Sequence, residues 1–261
     1  MRSVLNSPAK EKYSMSGHSK WASIKHKKSA VDAKRGKMFT KIIREISVAA
    51  RAGGGDSDAN PRLRTALLKA KLSNMPKDNI DRAIKKGTGE LEGADYSELT
   101  YEAYGPGGVA ILIEVLTDNR NRTAAELRHI LSRAGGNLGE SGSVAYLFKR
   151  KGLIVYDASE YTEDAVIEIA LEGGAEDVAK TDGEIEVITE PDDFETVLEA
   201  LESGELQHLS AEVTMLADAQ VQVPEDKLAQ ALRLIDALED HDDVQNVSTN
   251  LDIPEGFTLD E

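Results

Sequence analysis

The stretch Leu99–Leu116, LTYEAYGPGGVAILIEVL, contains two runs of mainly apolar and aromatic residues on either side of Gly105–Gly108. Two such runs around glycine and proline are typical of antiparallel strands joined by a short connection. The pattern predicts strands over Leu99–Tyr104 and Val109–Leu116. Before this stretch the apolar residues follow a helical period, and after it strands alternate with helices. The chain is therefore divided into an all-helical part and an α+β part.

The helical part precedes residue 88. Apolar residues over Phe39–Ala50 recur at helical spacing, and the glycines at 53–55 follow them. Asn60-Pro61 is typical of a helix start, because an asparagine side chain caps free N–H groups and proline fits the first helical position. A further helix is predicted from Pro76 to Gly87. Together these segments predict a small all-α bundle with short connections.

The α+β part begins after residue 88. Thr123-Ala124-Ala125-Glu126 matches a capping box and predicts a helix that starts at Thr123. Strands are predicted over Val144–Phe148 and Leu153–Tyr156, with a turn at Lys151-Gly152. Strand and helix then recur in a similar order up to the C-terminus, which indicates two related units.

The predicted fold class is α+β: an N-terminal all-α helical bundle followed by two ferredoxin-like-type α+β domains with antiparallel sheets. Residues 1–17 are expected to be a disordered N-terminal extension, with Met15 as the natural first residue. Residues 18–87 form the basic helical domain. The first α+β domain is discontinuous and combines 88–136 with 212–261, so that 137–211 is an inserted α+β domain.

Charge is distributed very unevenly along the chain. The first 90 residues contain 21 Lys and Arg against 8 Asp and Glu, a net charge of +13, although the whole chain has a net charge of −16. The last 110 residues contain 3 basic residues against 31 acidic ones. Asymmetry of this size indicates a polyanion-binding segment on an otherwise acidic chain.

Basic residues on the predicted helix faces, and two arginines in the segment Asn119–Arg122, are the candidates for binding phosphate groups. Lys20, Lys27 and Lys34 recur every seven residues and therefore stack on one side of a helix. Such cations release counterions from nucleic acid and bind it with little regard to base sequence. The candidate nucleic-acid-binding residues are Lys20, Lys25, Lys27, Lys28, Lys34, Arg35, Lys37, Lys41, Arg44, Arg62, Arg64, Arg120 and Arg122.

Two features leave alternatives open. Asn119–Arg122 lies between a strand and a helix, where it could either hold an anion or form a polar turn. Trp21 and Phe39 are the aromatic residues of the helical part, and their apolar spacing favours core positions over a stacking platform. Recognition of backbone and shape, in duplex DNA or ribosomal RNA, is therefore favoured over base-by-base reading.

Several classes of protein are disfavoured. The chain has no cysteine, its five histidines lack metal-ligand spacing, and no nucleophile motif appears. No window approaches 18 consecutive apolar residues. We therefore expect a cytoplasmic, non-enzymatic protein with no cofactor, metal, small-molecule substrate or membrane partner.

The sequence resembles the YebC family, which includes the mitochondrial translational activator of cytochrome c oxidase. The match extends from Ser16 to the C-terminus, and Ala103 departs from it where glycine is expected. The stretches that carry the resemblance are Gly17–Lys28 (GHSKWASIKHKK), Ala33–Arg44 (AKRGKMFTKIIR), Asn60–Arg64 (NPRLR), Asn74–Gly89 (NMPKDNIDRAIKKGTG), Tyr104–Ala110 (YGPGGVA), Leu116–Thr123 (LTDNRNRT) and Gly135–Tyr146 (GGNLGESGSVAY).

The resemblance implies a helical domain followed by two α+β domains, and a regulator that binds DNA to control transcription. It also implies an alternative, a ribosome-associated translation factor that binds ribosomal RNA and relieves stalling. Both need a basic helical face on phosphates, so the residues do not separate them. A third possibility, from another class, is an acidic scaffold or an unrecognised enzyme whose basic helices bind another protein.

Overall fold

The structure is a computed structural model that describes residues 31–181, 183–254 and 257; for residues 31–35 and 181 it describes the backbone alone. The predicted extension over residues 1–17 and the start of the helical domain at residue 18 lie outside these ranges. The chain forms two compact units. One contains residues 151–213, and the other contains the described residues up to 150 and from 214 onward.

Three helices form a bundle in the larger unit: α1 (Val31–Gly53), α2 (Pro61–Leu72) and α3 (Lys77–Thr88). Ile46 and Leu63 are fully buried in their shared core. The predicted start of α2 is confirmed, since Asn60 Oδ1 accepts a hydrogen bond from the Leu63 N–H at 3.1 Å. Helix α3 ends one residue beyond the predicted Gly87, and Gly89 follows with a positive φ of 84°.

Eight strands form two four-stranded sheets. The first sheet contains β1 (Ser97–Tyr104), β2 (Ala110–Thr117), β3 (Asn137–Leu138) and β8 (Val244–Thr249) in the spatial order β3-β1-β2-β8. Its three strand pairs are all antiparallel. The second sheet contains β4 (Phe148–Asp157), β5 (Asp177–Thr181), β6 (Glu184–Thr189) and β7 (Ser210–Ala217) in the order β5-β6-β4-β7.

Both faces of the first sheet are covered. Helices α4 (Arg120–Arg133) and α7 (Glu225–Glu239) contribute to the core on one face, which includes Ile111 of β2. Leu112, the next residue of β2, points the opposite way and packs with Val144 and Phe148. Because successive side chains of a strand alternate between faces, β2 is apolar almost throughout.

The second sheet is combined with α5 (Glu163–Glu172) and α6 (Phe194–Ser203), so the chain order from β4 to β7 is βαββαβ. This is the order of a ferredoxin-like fold. The α+β class with a helical N-terminal region is confirmed. In the described part of the chain, no helix combines the length and apolar character needed to cross a membrane.

The predicted turn at Lys151-Gly152 is wrong, because both residues lie inside the single ten-residue strand β4. A β-carbon at Gly152 would lie 2.2 Å from Thr189 Oγ1 and 2.6 Å from a ring carbon of Phe194. Glycine is therefore needed here for close packing and not for a turn. The preceding segment, Ala145–Leu147, forms a single 3₁₀ turn where a strand had been predicted.

The predicted helix start at Thr123 is also wrong. Helix α4 begins at Arg120, and Asn119 is its cap, with its side chain accepting a hydrogen bond from the Arg122 N–H. Thr123 lies in the first turn of the helix and is completely buried. Its hydroxyl donates to Asp243 at 2.7 Å, so a contact with a distant residue replaces the predicted local cap.

Candidate nucleic-acid interface

The structure divides the candidate phosphate-binding residues by what their side chains contact. Lys20, Lys25, Lys27 and Lys28 lie outside the described residues, and Lys34 and Arg35 are described by their backbone in α1 alone. The other seven candidates have described side chains. Six of these bind acceptors of the protein itself, and Arg120 is exposed at the start of α4.

Three candidates on α1 contact the turn between α7 and β8. Lys37 Nζ lies 2.7 Å from Asp240 Oδ2, and Lys41 Nζ donates to the Glu239 carbonyl at 2.5 Å. Arg44 donates to the Asp242 carbonyl at 2.7 Å. These three basic residues lie at i, i+4 and i+7, on one side of the helix. That side of α1 is held against an acidic turn about 200 residues away in sequence.

Asp243 is the centre of this contact. Its side chain is 4% exposed and accepts from Arg44 at 2.7 Å and from Arg122 at 2.8 Å. Thr123 and Thr117 also donate to it, at 2.7 and 3.2 Å. We call these five residues the Asp243 cluster. Burial by itself raises the pKa of Asp243, but the hydrogen bonds from Arg122, Thr123 and Arg44 outweigh it and lower the pKa to about 2.

Arg62 and Arg64 on α2 also bind the protein. Arg62 donates to Glu45 of α1 at 2.7 Å and to Glu98 of β1 at 2.9 Å. Burial by itself lowers the pKa of Arg62, but the hydrogen bonds to these two carboxylates outweigh this effect and raise the pKa above its ordinary value. Arg64 donates to the Ser57 carbonyl at 2.9 Å, within the loop between α1 and α2.

The start of α4, where the sequence left an anion site or a polar turn open, is a hydrogen-bonded cap. Asn119 Oδ1 accepts the Arg122 N–H at 3.1 Å. The Arg122 guanidinium lies 3.0 Å from Asp118 and 2.8 Å from Asp243. These hydrogen bonds raise the pKa of Arg122, with Asp243 as the largest cause. An anion at this helix end would have to compete with both carboxylates.

An open groove of about 790 Å³ lies beside the cluster, and its lining includes Lys37, Arg122, Glu126, His129 and Asp242. Its walls carry both signs of charge. Glu126, His241 and Asp243 have ligand atoms within 4.8 Å of one another. However, His241 Nδ1 accepts the Asp243 N–H at 3.1 Å, and Nε2 faces Glu126 Oε2 at 2.9 Å. The Asp243 carboxylate is bound by Arg44, Arg122 and two threonines, so the hydrogen bonds of this group are made within the protein.

Several exposed basic residues of α2 and α3 are not among the thirteen candidates, although Lys69 and Lys71 follow Arg62 and Arg64 on the same predicted helix. We call them the α2–α3 basic surface: Lys69, Lys71, Lys77, Arg82 and Lys85. The burial pattern of α3 explains the exposure of its members. Ala83 and Gly87 face the core at helical spacing, which leaves Arg82 and Lys85 on the solvent side. Helical spacing relative to the apolar residues was the signal that could have found them.

Comparisons with known proteins agree with this architecture. Residues 19–90 match the family model "TACO1/YebC protein N-terminal domain", and residues 96–251 match "TACO1/YebC second and third domain". A solved structure, that of a conserved hypothetical protein from Aquifex aeolicus, has a TM-score of 0.82 and 50% identity. The superposition covers 90% of this chain and 98% of the Aquifex aeolicus chain.

Curated relatives match over nearly their whole length. A probable transcriptional regulatory protein of Treponema denticola is 62% identical over 247 residues, which are 95% of this chain and 100% of the relative. One of Syntrophobacter fumaroxidans, with the same description, is 60% identical over 92% of this chain and 97% of its own length. With both family models matched in order along the helical and α+β parts, the chain belongs to the TACO1/YebC family.

Proposed function

We propose that this protein is a non-enzymatic regulator that binds nucleic acid through its basic helical domain, with DNA as the target in transcriptional control. The observation that carries the proposal is the net charge of +13 over the first 90 residues. Relatives described as probable transcriptional regulatory proteins support the regulatory role. We place this activity in the cytoplasm and keep the domain boundaries predicted from the sequence.

The contacts of the basic residues separate those that bind the protein itself from those that we assign to phosphate binding. Lys37, Lys41, Arg44, Arg62 and Arg122 bind carboxylates or carbonyls of the protein, and so organise the fold around the bundle. We assign phosphate binding to the other candidates and to the α2–α3 basic surface. The other candidates are Lys20, Lys25, Lys27, Lys28, Lys34, Arg35 and Arg120. Arg64 orders the loop between α1 and α2.

Helix α2 carries no acidic residue, and α3 carries Asp78 and Asp81. The exposed basic residues of these two helices therefore have few carboxylates on the same helix. Phosphate groups that approach such a surface displace counterions, so the affinity falls steeply with salt concentration. Contacts of this kind place the protein on the backbone without reading base sequence.

The proposal is tested by the salt dependence of binding to duplex DNA. In the double variant Lys71→Gln/Arg82→Gln, we expect the log–log slope of affinity against salt to become shallower by about 2, since each lost phosphate contact contributes about 0.9. The matched control, Lys180→Gln/Arg233→Gln, removes two exposed cations from the α+β domains and should leave the slope unchanged. Equal slopes in both double variants would remove the α2–α3 basic surface from the proposal.

The target is decided by comparing DNA fragments of promoter length with purified ribosomes at physiological salt. A regulator of transcription should prefer one fragment over competitor DNA by several kcal/mol. Tight ribosome binding together with weak, sequence-independent DNA binding would instead support the translation factor. Absence of binding to any nucleic acid would refute the proposal.

A further inference from the structure

A buried carboxylate lies outside the basic helices and takes no part in the proposed phosphate contacts. Glu102 of β1 is 8% exposed. Its Oε1 accepts the Gly142 N–H at 2.6 Å, and its Oε2 accepts the N–H groups of Val144 and Ala145 at 2.6 and 2.8 Å. Burial by itself raises the pKa of Glu102, but these backbone hydrogen bonds outweigh it and lower the pKa.

The hydrogen bonds of Glu102 hold the segment Gly139–Leu147, which we call the Glu102 loop. Further contacts hold the same segment: Tyr104 donates its hydroxyl to the Ser143 carbonyl at 3.0 Å, and the Gly139 N–H donates to the Glu102 carbonyl at 2.7 Å. Gly142 has a φ of 84°, a conformation that favours glycine. The loop backbone is therefore held by a buried, ionised carboxylate, and charge-assisted hydrogen bonds of this kind are stronger than neutral ones.

The Glu102 loop presents an aromatic ring to solvent. Val144 is completely buried and Phe148 nearly so, and both anchor the segment against β2. Between them, Tyr146 is 73% exposed, the highest value among the large apolar side chains of the described residues. A single exposed apolar residue usually needs no explanation. This one differs because backbone N–H groups on its N-terminal side donate hydrogen bonds to the buried Glu102.

The neighbouring charges indicate what the ring meets. Beside one exposed acidic residue, Glu140, the segment 139–150 contains two basic residues, Lys149 and Arg150. Both are exposed, although Lys149 lies 3.0 Å from Asp218. An exposed aromatic ring with basic residues a few positions away in sequence can bind an unpaired nucleotide, because the ring stacks on a base while the basic residues approach the phosphates.

We propose that Tyr146, held out by the Glu102 loop, stacks on an unpaired base of the bound nucleic acid, with Lys149 and Arg150 next to its backbone. This inference rests on the proposed function, since it adds a second contact to the same ligand. The helical domain would grip paired backbone, and Tyr146 would select ligands that contain a single-stranded stretch or loop. It gives the protein a preference for structure that the basic helices lack.

The test uses the full chain and two fluorescent probes of equal length: a hairpin with an eight-nucleotide unpaired loop and a fully paired duplex. Tyr146→Ala should weaken hairpin binding by about 5- to 150-fold, the range for loss of one stacked base, and leave duplex binding unchanged. Tyr146→Phe keeps the ring and should bind like the parent protein. Leu171→Ala, which shortens another exposed apolar side chain, is the matched control for surface truncation.

A second measurement uses a hairpin that carries 5-iodouracil in its loop. Ultraviolet irradiation crosslinks this base to a stacked aromatic ring, so the crosslinked peptide should contain Tyr146. If the parent protein binds neither probe, the proposed function fails. If the parent protein binds both probes and Tyr146→Ala changes neither affinity, the stacking contact is refuted while the proposed function stands. The exposed ring would then be assigned to contact with a protein partner. Equal loss on both probes would also refute stacking on an unpaired base.

Discussion

At the scale of single residues, Asp243 shows how one side chain can organise a surface. It accepts hydrogen bonds from Arg44 and Arg122, which come from different helices, and from Thr117 and Thr123. A carboxylate with so many donors stays ionised although it is buried. If one partner of a buried ion pair is removed, the other is left uncompensated, and the cost is much larger than for an exposed pair.

We therefore expect Asp243→Asn to lower the free energy of unfolding by about 3 kcal/mol at pH 7. The pKa of Asp243 is about 2 in the folded protein against an ordinary value of 3.8. Because the folded-state pKa is the lower one, its ionisation stabilises the fold above about pH 4, and this contribution of about 2 kcal/mol is lost as the pH falls towards 2. Urea titrations followed by circular dichroism measure the difference.

The gap in stability between the parent protein and Asp243→Asn should accordingly narrow between pH 5 and pH 2. Asp242→Asn is the control, because the side chain of Asp242 is exposed and only its carbonyl binds Arg44. It should cost little at any pH. A gap for Asp243→Asn that stays constant down to pH 2 would contradict the ionisation argument.

At the scale of elements, close packing of α1 against α3 depends on a residue that sequence reasoning treated as a helix end. Gly87 is buried within the last turn of α3. A β-carbon there would lie 2.4 Å from the Ser47 carbonyl oxygen and 2.7 Å from the Ala50 Cβ. Since the nearest of these atoms belongs to backbone, the helices would have to separate to admit a methyl group.

Two glycine-to-alanine substitutions test this packing. Alanine normally stabilises a helix interior by up to about 1 kcal/mol relative to glycine. Gly36→Ala in α1 should show this gain, since no atom lies within 4 Å of the added carbon. Gly87→Ala should instead destabilise the protein by about 1–3 kcal/mol through overpacking. Thermal unfolding compares the two, and a stabilised Gly87→Ala variant would show that α1 and α3 do not depend on this close approach.

At the scale of the whole molecule, residues 151–213 form a compact unit that interrupts the other unit in sequence. This segment has a core of its own. Tyr156, Ile185 and Phe194 are almost completely buried in residues 151–213. The buried Lys151 lies 2.5 Å from both Glu176 and Glu190, within the same unit. These hydrogen bonds outweigh the effect of burial and raise the pKa of Lys151. The segment therefore satisfies its buried charge internally.

We expect residues 148–217, expressed alone, to fold with a cooperative urea transition and a stability of a few kcal/mol, because they contain all four strands of the second sheet. Residues 148–203, which lack β7, are the control and should not fold, since β4 would lose a neighbour in the sheet. Circular dichroism and dispersion of amide proton signals decide the matter. A longer segment that is unfolded at 5 °C would show that it depends on the remainder of the chain.

The amino-acid sequence by itself determined the features that depend on neighbouring residues. The helical spacing of Phe39–Ala50, the Asn60 cap and the hairpin around Gly105–Gly108 were predictable, because helices, caps and turns are decided by side chains a few positions apart. The charge asymmetry and the membership of the YebC family were also readable from the chain alone.

Tertiary structure alone decided the partners of these side chains. Acidic residues are scarce around Lys37 and Arg44 in sequence, and the carboxylates that these two residues bind, Asp240 and Asp243, lie about 200 residues away. Thr123 likewise caps no helix and donates to Asp243. Position 152, within β4, is occupied by glycine because Thr189 and Phe194 leave no room for a β-carbon. Such contacts depend on how distant elements pack, and local periodicity carries no information about which charged groups that packing brings together.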